Sequence, residues 1–250
     1  MNALRVVLVA PRNPLNIGAA ARAMKTMGLS RLCLVSPERF PHREAQALAA
    51  NAGDVLEAAQ LFDGLGAALQ GTALQVAFTA RSRTLSHAPL AVREAAAEVA
   101  GIAAASEVAL VFGNETYGLS NEEVMNCNRT ATIPTDPGSS SLNLAAAVQV
   151  AAYEMRMAAL AQPPAIGRQG ELAAHEEVER FYAHLEQSIL ESGFLQPDNP
   201  RRLMERMRRL FGRAGLEKEE INIWRGMLAA WDVNSRKARR SNDNEGGGNS

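Results

Sequence analysis

Two loops rich in Gly, Ser and Asn carry the side chains whose types and spacing best suit chemistry. Gly113–Leu119 reads GNETYGL, and Asp136–Ser141 reads DPGSSS. Gly lets backbone N–H and C=O groups approach a ligand closely. Ser141 and Asn143 stand at the mouth of a predicted helix, where free N–H groups favour negative charge. The pattern indicates a site for an anionic ligand; the alternative is two ordinary turns, with Ser141 as a helix N-cap.

Short apolar runs precede both loops and predict the strands that position them. Val108–Phe112 stops at Gly113, and Thr130–Ile133 stops at Pro134. Such runs are typical of buried strands. Ligands of parallel α/β proteins bind beyond the carboxyl ends of the strands. The two loops are therefore expected to contribute to one site.

The remainder of the first 160 residues alternates predicted strands and helices, which favours a parallel α/β fold. The further predicted strands are Arg5–Ala10, Arg31–Val35 and Leu74–Thr79. The predicted helices are Ile17–Met27 (capped by Asn16 and ended by Gly28), Arg43–Ala59 (broken at Gly53), Ala67–Leu69, Leu90–Ala105 and Leu142–Leu160. The loop after the third strand contains Arg81 and Arg83, which either contact phosphates or lie on a solvated surface.

Composition narrows the class of protein. The chain has 250 residues, 47% of them hydrophobic, and 26 basic residues stand against 27 acidic ones, so the total charge gives no nucleic-acid signal. Cys33 and Cys127 lie in or beside apolar runs and are expected to be buried free thiols in a reducing compartment. The Cys and His spacings predict no metal site. Leu4–Ala10 is too short for a signal peptide or membrane span, so we expect a cytoplasmic protein with no membrane partner.

A change in composition near residue 162 predicts a domain boundary. Residues 1–162 form the predicted α/β domain, 163–170 a linker, 171–240 a helical extension and 241–250 a disordered tail. The predicted helices of the extension are Glu171–Glu191, Asn199–Phe211 (capped by Asn199 before Pro200) and Glu217–Val233. From Pro197 to Arg240 there are twelve Lys and Arg but six Asp and Glu. The extension is therefore either a solvated helical module or a surface that binds an anionic partner.

Three motifs, in this order, resemble those of the SPOUT RNA ribose 2′-O-methyltransferases. The pattern N-x-G-x-x-x-R occupies Asn16–Arg22, FGNETYGL occupies Phe112–Leu119, and SSLNLA occupies Ser140–Ala145. Over Arg5–Leu160 the chain looks most like the bacterial TrmJ-type tRNA methyltransferases. The resemblance implies a parallel-sheet SPOUT fold with a deep C-terminal trefoil knot, plus a small all-α extension. Knots are so rare that sequence patterns alone would exclude one.

The resemblance also implies a methyl donor, S-adenosylmethionine, and a role for each motif residue. Arg22 would stabilise charge on the reacting ribose oxygen. Asn16 and Asn143 would orient the ribose or Arg22, Ser141 would bind the target phosphate, and Glu115 would hold its loop. The implied donor contacts are Thr79, Ala80, Arg81, Gly113, Asn114, Ile133, Ser141, Leu142 and Asn143. The implied RNA contacts are Arg22, Arg83, Arg201, Arg202, Arg208 and Arg209.

The implied partners are tRNA and a second copy of the chain, and no DNA. Relatives of this family are homodimers, so we expect the apolar faces of Ile17–Met27 and Leu142–Leu160 to pack across a two-fold axis. The expected reaction is 2′-O-methylation of cytidine or uridine 32 in the anticodon loop. A sister enzyme for another tRNA or rRNA position is the first alternative.

Two other classes of protein compete with this interpretation. A Rossmann oxidoreductase needs G-x-G-x-x-G after the first strand, where residues 10–13 read APRN. A non-catalytic RNA-binding protein on the same fold is expected to have lost Arg22 or the pair Ser141 and Asn143. The sequence keeps all three.

Overall fold

A computed structural model describes residues 1–80, 88–161, 170–195 and 202–246, with side chains described as far as Val233 in the last range. Contacts along the chain separate two units, Met1–Arg168 and Gln169–Ser250.

The first unit is organised by a parallel sheet. Its strands are β1 (Leu4–Val9), β2 (Arg31–Val35), β3 (Gln60–Phe62), β4 (Thr72–Phe78), β5 (Leu90–Ala91), β6 (Glu107–Phe112) and β7 (Arg129–Thr132). They stand in the order β3-β2-β1-β6-β4-β7-β5, and the recorded pairings are parallel. The predicted parallel α/β fold is thus confirmed. Because β6, β4 and β7 are neighbours, the loops that follow them leave the same edge of the sheet side by side.

Two edge strands differ from the sequence prediction. β3, at one edge, was not expected, and it pairs with β2 over only three residues. At the other edge, Leu90 and Ala91 pair with Ala131 and Thr132 of β7 instead of starting a helix. Strands this short carry little local signal, because pairing with a neighbour distant in sequence decides their conformation.

Helices cover the sheet of the first unit. They are α1 (Pro14–Thr26), α2 (Arg43–Ala49), α3 (Gly53–Glu57), α4 (Leu65–Leu69), α5 (Val92–Ile102), α6 (Asn121–Met125) and α7 (Leu144–Leu160). The predicted break at Gly53 lies earlier in the structure: a 3₁₀ turn follows α2, Ala50 has a φ of 52°, and Gly53 begins α3.

The start of α1 corrects the expected cap. Asn13, not Asn16, is the N-cap: its side-chain oxygen accepts the N–H of Leu15, and Pro14 takes the first helical position. Proline suits that position because its φ is preset and its missing N–H would have no helical partner. Asn16 therefore lies inside the first turn, where its side chain is free to make other contacts.

The packing of α1 corrects one of the two expected dimer faces. Ile17, Ala20 and Met24 of α1 are fully buried within the single chain, and α1 packs against both α2 and α7. At Gly18 any side chain would overlap the backbone of Ala45, so the contact with α2 requires glycine. The apolar face of α1 that was predicted to form a dimer is thus already covered, whereas Tyr153, Met157 and Leu160 of α7 are exposed.

The second unit is a small helical module. Its helices are α8 (His175–Glu191), α9 (Leu203–Ala214) and α10 (Lys218–Gly246). Phe181, Phe211 and Trp224 pack together, with ring centroids 5.0 Å apart for the first pair and 5.3 Å for Phe211 and Trp224. α8 begins four residues after the predicted start, and α10 continues into the stretch predicted to be a disordered tail. The predicted cap at Asn199 and Pro200 lies outside the described residues.

Candidate active site

A pocket opens at the carboxyl edge of the sheet, beyond β4, β6 and β7. It is lined by Phe78, Thr79, Ala80, Phe112, Gly113, Asn114, Glu115, Thr116, Tyr117, Gly118, Ile133, Ser140, Ser141, Leu142, Leu144 and Ala147. The predicted donor contacts Thr79, Ala80, Gly113, Asn114, Ile133, Ser141 and Leu142 are among them. The two motif loops do contribute to one cavity.

The loop after β6 is a tight turn whose backbone is fixed by Asn114. The side-chain oxygen of Asn114 accepts the N–H groups of Thr116 at 3.0 Å and Tyr117 at 2.7 Å. Gly118 has a φ of 67° and donates its N–H to the Asn114 carbonyl at 3.0 Å. A side chain at Gly113 would overlap the backbone of Gly118, so both glycines are required by the turn.

Glu115 joins this loop to the exit of β1. One carboxylate oxygen accepts the backbone N–H of Arg12 at 3.0 Å. The other accepts the backbone N–H of Asn13 at 3.1 Å and the side-chain amide of Asn16 at 2.9 Å. These contacts tie the Glu115 loop to the β1 exit, and the role of Glu115 in the site stays a prediction.

Asn16 and Asn143 extend this contact into a chain of amides. The Asn143 side chain donates to the Asn16 oxygen at 2.9 Å. Its own oxygen accepts the N–H of Ala145 at 2.9 Å, which makes Asn143, not Ser141, the N-cap of α7. Hydrogen bonds therefore run from the first turn of α7 through two asparagines to Glu115, and each amide is fixed in one orientation.

This network keeps the Glu115 carboxylate ionised. Burial raises the pKa of Glu115, but the hydrogen bonds from Asn16 and from the backbone N–H groups of Arg12 and Asn13 outweigh it, and the net pKa lies below the usual range. At neutral pH the network therefore ends on a negative charge.

Aromatic rings form an apolar wall that the sequence did not single out. Phe78, the last residue of β4, stacks on Phe112, the last residue of β6, with centroids 4.6 Å apart and planes 7° apart. Their signal in the sequence was their position as the last apolar residue before each predicted loop. Tyr117 was also missed as a site residue, although it lies within the second motif.

Arg22 does not line the pocket. It is exposed on α1, six residues after Asn16, and among the described residues it makes no ion pair. Leu15 and Arg22 are seven residues apart and so lie on one face of the helix. The structure of one chain thus brings Asn16, Glu115 and Asn143 together and leaves Arg22 apart from them.

The predicted RNA contacts outside the motifs have mixed outcomes. Arg83 and Arg201 lie outside the described residues, as does the predicted donor contact Arg81. Arg202 is exposed before α9 and lies 4.0 Å from Glu205, and Arg209 is half-buried.

Arg208 corrects the prediction, because it is engaged within its own unit. It donates to both carboxylate oxygens of Glu179, at 2.6 and 2.7 Å. Its guanidinium carbon lies 4.4 Å from the centre of the Tyr182 ring. We therefore assign Arg208 to the packing of α9 on α8 rather than to RNA.

The described ranges contain no cluster of three His, Cys, Asp or Glu residues that suits a metal ion. No helix in the described part of the chain is long and apolar enough to cross a membrane. Cys33 and Cys127 are buried and free, as predicted.

Comparison with known proteins gives matches along most of the chain. Residues 3–153 match the model of the SpoU rRNA Methylase family, and residues 176–243 match the model of the tRNA methyltransferase TrmJ, C-terminal domain.

Individual proteins are similar over nearly their full length. The tRNA (cytidine/uridine/adenosine-2'-O-)-methyltransferase TrmJ of Pseudomonas aeruginosa is 48% identical over 239 residues, covering 91% of this chain and 93% of that protein. The tRNA (cytidine/uridine-2'-O-)-methyltransferase TrmJ of Salmonella typhimurium is 48% identical over 235 residues, covering 91% and 95%. The crystal structure of TrmJ from Z. mobilis superimposes with a TM-score of 0.79 at 31% identity, covering 90% of this chain and 97% of that one.

Proposed function

The chain belongs to the SpoU rRNA methylase family, and from this premise we propose that it transfers a methyl group from S-adenosylmethionine to a ribose 2′-oxygen of tRNA. The observation that carries the proposal is the hydrogen-bonded chain of Asn16, Glu115 and Asn143 beside the pocket. These residues belong to three motifs widely separated in sequence. Their meeting at one edge of the sheet supports a common role in one reaction.

The pocket fits S-adenosylmethionine by the chemistry of its lining. Phe78, Phe112 and Leu144 offer apolar surface for a flat heterocycle, while Thr79, Gly113 and Ser141 offer backbone and hydroxyl groups. Adenine would be bound largely by main-chain hydrogen bonds, which makes a G-x-G-x-x-G loop unnecessary. When bound, S-adenosylmethionine supplies an electrophilic methyl group on a positively charged sulfur.

The residues of the chain act on the ribose. The 2′-hydroxyl is a weak acid, so its proton must leave while negative charge develops on the oxygen. A guanidinium is not deprotonated in proteins, so Arg22 acts as an electrostatic stabiliser and phosphate anchor, and the proton passes to solvent or phosphate. Asn16 and Asn143 orient the ribose, and Ser141 contacts the target phosphate. Much of the rate enhancement would come from this positioning.

A homodimer would bring Arg22 to a pocket. In one chain Arg22 is exposed and does not line the cavity, so we propose that a second copy presents its Arg22 to this one. Apolar side chains remain exposed on the same helices: Leu15 on α1, and Tyr153, Met157 and Leu160 along one face of α7. The α7 residues keep the predicted face of that helix, and together with Leu15, which lies outside the buried face of Ile17–Met27, they form the proposed interface. Sedimentation of the full chain tests it, because a monomer with full methylation activity would exclude a shared site.

The trefoil knot is part of the same proposal. The pocket is lined by the loops after β6 and β7, the two loops that pass through one another in the SPOUT fold. Crossing of these loops would bury the donor against backbone from both.

The helical unit is proposed to capture tRNA. From Pro197 to Arg240 its sequence has twelve Lys and Arg against six Asp and Glu, and phosphate contacts add affinity that does not depend on the RNA sequence. Arg202 and Arg209 remain candidates, together with Arg201, whereas Arg208 does not. Removing residues after Gln162 should raise KM for tRNA and flatten its dependence on salt. Affinity for S-adenosylmethionine should hold, because the pocket is lined entirely by residues of the first unit.

We place the reaction at cytidine or uridine 32 of the anticodon loop, in the cytoplasm where tRNA is processed. The test is ribose-methylation mapping of total RNA from cells that lack the protein, and of the same RNA after addition of the purified chain. Loss and recovery of methylation at nucleotide 32 alone supports the assignment. Loss of methylation at a different tRNA or rRNA nucleotide would support the proposed reaction and contradict the assignment of nucleotide 32.

A further inference from the structure

We propose that Tyr117 is a stacking platform for an unpaired nucleobase at the mouth of the pocket. The inference rests on the proposed ribose methylation and adds the binding site for the base attached to that ribose. It concerns a residue outside the hydrogen-bonded chain of Asn16, Glu115 and Asn143.

Tyr117 combines exposure with a place on the pocket wall. Its residue surface is 67% exposed, yet it is among the residues that line the cavity. Phe78 and Phe112, the other rings there, are 8% and 2% exposed and belong to the core. Tyr117 therefore presents the open aromatic surface at this site.

The backbone beneath the ring is held on both sides. The Asn114 side chain accepts the N–H of Tyr117 itself at 2.7 Å, and the next residue, Gly118, donates to the Asn114 carbonyl at 3.0 Å. Glu115 fastens the same turn to the exit of β1. Because the turn is fixed before any ligand arrives, little backbone entropy would be lost when a ring stacks on Tyr117.

The ligand that suits an exposed, positioned ring beside a ribose-modifying pocket is an unstacked base. Proteins that recognise single-stranded RNA stack bases on Tyr, Phe and Trp. Stacking tolerates different bases, because each has a π-face. A platform of this kind would hold the nucleotide by its base while Asn16 and Asn143 act on its ribose, and it would accept cytidine and uridine alike.

The test combines a change in the protein with a change in the RNA. The variants are Tyr117→Ala and Tyr117→Phe, with Leu61→Ala as a control that removes another exposed apolar side chain of the first unit, from β3 at the opposite edge of the sheet. The substrates are an unmodified tRNA transcript and the same transcript with an abasic ribose at the mapped nucleotide, which keeps the 2′-hydroxyl and removes the base. KM, kcat, donor affinity and sedimentation are measured for each protein.

Tyr117→Ala should raise KM for the intact transcript on the order of 10-fold, whereas Tyr117→Phe and Leu61→Ala should leave it near the wild-type value. Wild-type protein should lose a similar factor on the abasic transcript. For Tyr117→Ala, KM should be no higher on the abasic transcript than on the intact one, because this variant already lacks the ring on which the base would stack. Donor affinity and the oligomeric state should not change.

Three results would overturn the platform while the proposed reaction stands. These are an unchanged KM in Tyr117→Ala, a Tyr117→Ala defect as large on the abasic transcript as on the intact one, and a loss of donor affinity or of the dimer. The last would mean that the ring contacts the donor or the second copy. A wild-type chain that methylates no RNA would overturn the proposed function, and this inference with it.

Discussion

The two ends of strands β1 and β6 carry polar networks that are built in opposite ways. At the amino end Glu107 lies between two cations: Arg31 donates to both carboxylate oxygens, at 2.6 and 3.0 Å, and Arg5 pairs with the same group. Arg5 also donates to the carbonyls of Ala68 and Gln70. Here charge is matched by charge.

At the carboxyl end, Glu115 accepts hydrogen bonds from two backbone N–H groups and one asparagine. Neutral donors fix the carboxylate without engaging an arginine side chain. Arg22 stays exposed, and within the described residues no acid pairs with it. The contrast teaches that one end balances its carboxylate with cations, while the other fixes its carboxylate with neutral donors; under the proposed function, Arg22 would remain available for an anionic substrate.

Removing the available cation should have the largest effect. Arg22→Ala is expected to lower kcat by about 10²–10³-fold, because a donor aimed at the developing charge is lost. Its unfolding free energy and its affinity for S-adenosylmethionine should stay close to wild type. Methylation kinetics, chemical denaturation and calorimetric titration measure the three quantities. A large loss of donor affinity would contradict the role assigned to Arg22.

Glu107→Gln should break the amino-end network and leave chemistry intact. Two arginines would lose their counter-charge, at a cost of about 2 kcal/mol in unfolding free energy, less than for a fully buried pair because the Glu107 side chain is 38% exposed. Activity per folded molecule should be unchanged. Urea denaturation followed by methylation assays at low denaturant checks both.

Lowering the pH provides a second test of the Glu107 ion cluster. The hydrogen bond from Arg31, followed by that from Arg5, holds the pKa of Glu107 below its usual value despite partial burial. Its stabilising contribution is therefore complete at neutral pH and is lost as pH falls through the lowered folded-state pKa, below about 4.3. The wild-type protein should lose stability across that window more steeply than Glu107→Gln. Equal slopes would mean that the ion cluster does not stabilise the fold.

Glu115→Gln should have a smaller effect on stability and a selective effect on activity. The new NH₂ would face an N–H donor of the β1 exit, which costs about 1 kcal/mol. Because the hydrogen-bonded chain of Asn143 and Asn16 ends on the Glu115 carboxylate, we expect kcat to fall about 10-fold. This factor corresponds to roughly 1.4 kcal/mol of activation free energy. The matched control is Glu122→Gln on the exposed side of α6. Equal kinetics for the two variants would remove Glu115 from the site.

An exposed ion pair provides the reference for the stability and activity changes expected at Glu107 and Glu115. Lys25 and Asp54 form an ion pair at 2.7 Å, with side chains 39% and 65% exposed. Solvent screens such pairs, so Asp54→Asn should change neither the melting temperature nor the kinetics measurably. A clear destabilisation would show that charge pairing anywhere on this unit matters as much as at Glu107.

The sequence predicted the elements that have strong local signals. The five longer strands and α7 were found, because buried apolar runs and a long segment without Gly or Pro need no distant partner to be recognised. β3 and β5 form only by pairing at sheet edges. The N-cap of α1 was predicted wrongly at Asn16. The rule that predicts an N-cap at Asn199, because Pro200 suits the first helical position, applies equally to Asn13 and Pro14.

The sequence predicted which residues belong to the candidate site better than it predicted the hydrogen bonds between them. The motifs placed Asn16, Glu115 and Asn143 in one site, but the direction of each hydrogen bond depends on how three distant segments pack. Arg208 shows the limit of counting charges. Its partner Glu179 is on another helix, so an arginine that binds RNA and one that holds two helices together look alike in sequence.

The most direct test of the account is methylation of tRNA by the purified full chain with S-adenosylmethionine, followed by mass-spectrometric mapping of ribose methyl groups. The account predicts one new 2′-O-methylated nucleotide, at position 32, which disappears with Arg22→Ala while donor binding remains. A chain that binds S-adenosylmethionine and tRNA, yet leaves every ribose unmethylated, would contradict it.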